Sequence, residues 1–230
     1  MVLASTTIDV YLEKGKQRTF AGAIHWPGWC RSGRDEQAAL KALFEYGPRY
    51  AQVLRTSELG FQIPSGAAVL TVVERLEGTT TTDFGAPDVA PSSDIKPVDD
   101  TELRRFQAIL KSCWEKFDVA VTAAKGKTLR TGPRGGGREL EEIVMHVIGG
   151  DVAYLARLGW KASAETSTDL AQTRQAILSG LSWAVNGEAP VRGPRGGKRW
   201  GPRYFVRRVA WHVLDHAWEI EDRISGIESR

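Results

Sequence analysis

Residues 85–100, GAPDVAPSSDIKPVDD, most constrain what this chain can fold into, because they carry three prolines and no hydrophobic period. Proline fixes φ and lacks an N–H, so neither a helix nor a central strand runs through such a stretch. On its N-terminal side the apolar residues mostly alternate, with the period of a strand. On its C-terminal side they recur every three to four residues, with the period of a helix. Strands gathered first and helices gathered second argue for an α+β chain rather than an alternating α/β sheet. The expected division is a first domain over 1–85, a linker over 86–100 and a second domain over 101–230.

In the first domain, residues 7–13 (TIDVYLE) alternate and residues 18–26 (RTFAGAIHW) are strand-like, with Lys14-Gly15-Lys16 between them. That is a β-hairpin pattern. Pro27-Gly28 breaks the second strand. Asp35 is placed to cap a helix on which Ala38, Leu40, Leu43 and Phe44 follow at helical spacing. Gly47-Pro48 ends or kinks that helix near Tyr46, with a second turn open through Leu54. Residues 67–76 (AAVLTVVERL) read as another strand, and 79–84 as a candidate for one more. The sum is a small ββαβ module over about residues 5–85. Residues 21–42, AGAIHWPGWCRSGRDEQAALKA, resemble the HicB-type antitoxin pattern: a strand ending in Pro-Gly-x-Cys, a Gly-led turn, and a helix opening on acidic residues and Ala. Pro27, Gly28, Cys30, Gly33, Asp35, Glu36 and Ala38 carry the resemblance. HicB antitoxins pair this module with a helix-turn-helix or ribbon-helix-helix segment. Neither motif occurs in this sequence, so DNA binding is not expected.

In the second domain, Asp99-x-x-Glu102 is a capping-box pattern. Leu103, Phe106, Leu110, Trp114, Phe117 and Val121 then mark one face of a first helix, with Gly126 as its stop. Residues 138–158 form a second helix that holds His146 and, in mid-run, Gly149-Gly150. Thr166-x-x-Asp169 caps a third over 169–185, and Pro202 stands at the first position of a fourth that ends before Gly226. Four such helices with mostly short connections predict a four-helix bundle.

The fourth helix contains RRVAWHVLDHAWEIEDR, residues 207–223, in which His212 and His216 stand four apart. Phe205, Val209, His212, His216 and Ile220 share one face, the face a globular protein buries. A buried imidazole must find partners for its ring nitrogens, and one metal ion would satisfy two at once. His146 on the second helix makes a three-nitrogen set, which leaves a coordination position open, as in catalytic sites. The plainer alternative is three core histidines satisfied by nearby carboxylates, with Asp215, Glu219 and Asp151 available. HExxH and GxxxxGK[ST] are both absent, so neither the metalloprotease helix nor the nucleotide-binding loop is indicated.

Residues 100–226 resemble the DinB-like superfamily of metal-binding four-helix bundles, which has one His in the second helix and HxxxH in the last. His146, His212 and His216 occupy those places. The resemblance implies a divalent ion, zinc or nickel, and a small-molecule substrate. It implies a thiol S-transferase or hydrolase, with a low-molecular-weight thiol as co-substrate in the transferases. In that reading Asp215 serves as proton acceptor or as partner to a ligand, and Glu142, one turn before His146, is a candidate for the same part. The competing expectation is an interaction protein whose first domain binds a partner and whose bundle is a scaffold.

GPRGG occurs at 132–136 and again at 193–197, each time leading into a helix. Gly-rich backbone at a helix start can cradle an anion, so Arg134 and Arg195, with Lys198 and Arg199, are candidate contacts for a carboxylate or phosphate. The alternative is a solvated loop. The net charge of +3 is spread among interspersed acids and bases, which does not suggest nucleic acid. The two cysteines, Cys30 and Cys113, are far apart, and a reduced pair is expected. No signal peptide and no run of ~20 apolar residues is present, so the expectation is a cytoplasmic protein without a membrane span. Bundles of this kind often pair, which leaves a homodimer open. His25, at a strand end, reads as locally satisfied. Trp211 and Trp218 read either as core or as the wall of an apolar pocket.

Overall fold

A computed structural model describes residues 7–131, 137–187 and 199–224. The chain is α+β and divides into two compact units, with the boundary between Lys96 and Pro97. No described helix is long and apolar enough to cross a membrane.

The first unit holds a four-stranded sheet in the order β3-β2-β1-β4. The hairpin expected from the sequence is β1 (Ile8–Lys14) and β2 (Thr19–Ala23), paired antiparallel from Val10↔Ala23 to Lys14↔Thr19. Its turn is held by Gly15 N–H donating to Arg18 O at 2.8 Å, and by Asp83, which accepts from Gln17 N at 2.7 Å. The sequence reading missed β3 (Cys30–Gly33), which pairs antiparallel with β2. Cys-Arg-Ser-Gly has no apolar alternation, so only its partner reveals it. The module therefore has three strands before its first helix, where ββαβ has two. α1 (Glu36–Glu45) starts at Asp35, whose carboxylate accepts from Ala38 N at 2.8 Å, and α2 (Gly47–Val53) follows with Pro48 in its first turn. Trp29 is fully buried beneath them, stacked on Tyr50 and donating from Nε1 to Leu43 O at 2.9 Å.

β4 (Leu70–Glu77) runs parallel to β1, with a register shift at Val10/Tyr11. The segment that follows is not a strand but α3 (Thr80–Phe84). Threonine suits strands, yet here Thr79 and Thr82 cap the helix reciprocally: Thr79 N donates to Thr82 Oγ1 and Thr81 N to Thr79 Oγ1. Most of the stretch expected as a linker belongs to the first unit. Glu13, on β1, is wholly buried and accepts from Asp88 N at 2.9 Å, Val89 N at 3.1 Å and the Thr82 hydroxyl. A carboxylate inside a sheet needs donors, and the prolines leave these N–H groups unpaired by secondary structure.

The second unit is helical: α4 (Asp100–Ala124), α5 (Leu140–Leu158), α6 (Leu170–Val185) and α7 (Pro202–Ile224). α4, α6 and α7 start close to where their caps or proline predict, with Asp99 accepting from Glu102 N and Asp169 from Gln172 N, both at 2.8 Å, and α5 starts two residues after the expected 138. α7 packs against α4 and α5, and α6 packs against α5. α7 is buried along nearly its whole length. The Arg203 guanidinium ties its start to the Glu102 carboxylate of α4, and Glu221, near its end, pairs with Lys116.

Candidate metal centre

α5 and α7 bring His146, His212 and His216 together, and one ring nitrogen from each lies within 4.8 Å of the others. The four-residue spacing on α7 stacks two imidazoles on one face, and α5 supplies the third from across the interface. The ring centroids are 5.1, 4.8 and 4.8 Å apart, with planes at 70–85° to each other. His146 Nε2 and His212 Nε2 stand 3.3 Å apart. Nitrogens ~2.05 Å from a tetrahedral zinc are separated by about 3.3 Å, so this pair already has the spacing of two ligands on one ion.

The close approach depends on Gly150, one turn after His146. A Cβ there would lie 2.3 Å from His212 Cε1, and the ring, only 5% exposed, has no room to retreat. The neighbouring Gly149 faces open space. The mid-helix Gly-Gly that looks like a weakness in sequence thus has one residue that admits the His212 ring.

His216 Nδ1 donates to Glu219 Oε2 at 2.7 Å, which leaves its Nε2 lone pair for the cluster. Burial works to raise the Glu219 pKa, but the hydrogen bond from His216 and the Arg223 guanidinium hold it below the usual carboxylate range. Burial pulls His146 down to about 4. Burial likewise holds His212 well below its ordinary value, with His216, His146, Arg208 and Arg138 adding to the effect. Both rings are therefore neutral near pH 7, the form that binds metal. His212 Nδ1 is buried and has no hydrogen-bond partner among the described residues.

One turn before His212, Arg208 lies over the rings of Tyr154, Trp200 and Trp211 at 5.2, 5.7 and 5.4 Å. Its Nη2 donates to the Tyr154 hydroxyl at 3.1 Å, and the Tyr154 ring is 5.6 Å from that of His212. Trp211 belongs to this collar, and Trp218 is core, 1% exposed.

The other residues singled out from the sequence fall elsewhere. Asp215 is half-buried on α7, about 100° round the helix from His216; the carboxylate on the triad is Glu219. Glu142 is exposed and closes the capping box of α5, accepting from Glu139 N at 3.0 Å. Asp151 is buried in α5 with Oδ1 unpartnered, and burial pushes it up to about 8 against the pull of Arg174. Arg134, Arg195 and Lys198 lie outside the described residues. The Arg199 guanidinium occupies the space over Gly159, the left-handed residue closing the C-terminus of α5, rather than a helix start. His25 is exposed in the first unit, and Cys30 and Cys113 are buried free thiols. Tyr154, Arg208 and Arg223 are not among the residues that the sequence singles out. Arg208 and Arg223 stand at helical spacing from His212 and Glu219, the one signal that could have found them.

Comparison of the chain with protein-family models, curated proteins and solved structures gives no match.

Proposed function

We propose that the second unit is a DinB-like divalent-metal site, with His146, His212 and His216 as ligands to zinc or nickel. The reaction class would be transfer of a low-molecular-weight thiol to a small molecule, or its hydrolysis. The observation that carries this reading is the convergence of three imidazoles from two helices, two of their nitrogens already at the spacing of a tetrahedral edge. The neutral state of the buried His146 and His212 rings fits the same reading, since a ligand offers a lone pair rather than a charge. A divalent ion held there supplies Lewis acidity, which polarises a carbonyl and lowers the pKa of a thiol or water brought to it.

The protein's own residues do the rest. Glu219 keeps the proton of His216 on Nδ1 and so aims Nε2 into the cluster. Arg208 sets a fixed positive charge one turn from His212, and its aromatic collar excludes water on that side. Three neutral ligands leave a dication mostly uncompensated, so with Arg208 the site favours an anionic group in the substrate or the thiol. For the first unit, the same reading keeps a HicB-like module without an assigned activity.

The test is metal content of the purified, untagged protein beside a His212→Ala/His216→Ala variant. About one ion per chain is expected in the wild type, and none in the variant. A wild-type protein that holds no metal, even after exposure to zinc or nickel, overturns the proposal.

A further inference from the structure

Arg223 is the last buried charge on α7, 5% exposed, and its guanidinium spends its hydrogen bonds in an unusual way. Nε donates to Arg130 O at 2.7 Å, and Nη1 donates both to Arg138 O at 2.7 Å and to Glu219 Oε1 at 3.1 Å. The other Glu219 oxygen takes the His216 Nδ1 proton. Gly137 closes over the same group, with no room for a Cβ, which would lie 2.7 Å from Nη2. Arg130 answers by donating from its own N–H to Arg223 O at 3.2 Å.

Resting on the metal-site reading above, we infer that Arg223 is a positioning residue for that site. It fixes Glu219, and through it His216, to the backbone that opens α5, the helix carrying His146. Two consequences follow from the geometry. A carboxylate on an exposed helix face samples several rotamers, but one held at one oxygen by a buried guanidinium presents the other in a single place. The guanidinium also joins α7, with two of the ligands, to the entry of α5, with the third, so it sets the separation across which the three nitrogens converge. A lysine reaches one such acceptor but lacks the rigid fork that serves three.

The test compares the wild type with Arg223→Met, Arg223→Lys, Glu219→Gln and the Glu219→Gln/Arg223→Met double variant. Two quantities are read. One is zinc affinity by competition with a chromogenic chelator. The other is the tautomer of His216 in zinc-free protein, from nitrogen-15 imidazole spectra. Glu219→Gln is expected to weaken zinc about 10–100-fold. Arg223→Met is expected to weaken it in the same direction, Arg223→Lys less so, and the double variant more than Glu219→Gln alone but by less than the product of the two single losses. The Nδ1–H form of His216 should dominate in the wild type and give way to a mixture in Arg223→Met. Unchanged affinity and tautomer in Arg223→Met, or losses that multiply in the double variant, overturn the inference. Should Arg223→Met not fold, Arg223→Lys decides on the same two readings. If the wild type binds no zinc, the metal reading falls, and the tautomer change alone decides whether Arg223 positions His216.

Discussion

Gly149 and Gly150 occupy consecutive positions of one helix and do opposite things. A glycine in a helix interior weakens it relative to alanine, because the free chain loses more backbone entropy on folding. At Gly149 nothing offsets that loss, since no atom of the described residues lies within 4 Å of where a Cβ would stand. Gly149→Ala should therefore raise unfolding free energy by roughly 0.5–1 kcal/mol and leave zinc binding unchanged. Gly150→Ala should lower it by about 1–3 kcal/mol, the range for overpacking a closed interface, and should abolish zinc binding by displacing the His212 ring. Urea titration and metal content, measured on both variants, check the pair. Equal behaviour of the two would refute the role given to Gly150. His146, His212 and His216 were recognisable in sequence as a set, because spacing on α7 is a local property. Glu219 was legible only as one of three carboxylates on hand, because rotamer and distance decide which one reaches an imidazole.

Elements were legible in proportion to how much of their stabilisation is local. α4 and α6 begin at aspartate caps, and α7 at a proline, all visible in the sequence. β3 was missed and residues 79–84 took the wrong period, since a four-residue edge strand exists only through its partner and threonine serves strands and caps alike. The stretch after α3 makes the same point. Prolines predict that it is irregular, but not that Glu13 gathers its N–H groups. Glu13→Ala should leave those buried donors unsatisfied, at roughly 1–3 kcal/mol for each group so stranded. The loss should be confined at first to this element. Hydrogen exchange at Asp88 and Val89 should speed up well before exchange in β1 and β2, and protection unchanged at those two amides would contradict the latch.

At the scale of the whole molecule, the buried acid Asp151 contributes its own pH dependence to stability, opposite in sign to that of the buried His146 and His212. The folded protein holds Asp151 protonated up to about 8, whereas the unfolded chain releases that proton near the ordinary value of 3.8. At Asp151 the folded state thus binds more protons across this window, so the contribution of this group falls as pH rises through it and levels off above about 8. Asp151→Asn removes the linkage. The variant should match the wild type near pH 4 and be the more stable of the two by several kcal/mol at pH 9, since each pH unit crossed inside the window costs the wild type up to about 1.4 kcal/mol. Parallel urea titrations across that range check this; superimposable pH profiles would count against it. From the sequence alone came the α+β class, the helix starts, and the identity of the three histidines, because each rests on periodicity, capping or spacing within one segment. The tertiary structure alone decided which glycine admits His212 and how Arg223 joins the two helices that carry the ligands. Those are contacts between residues up to 93 positions apart, and no local pattern encodes the geometry in which distant segments meet.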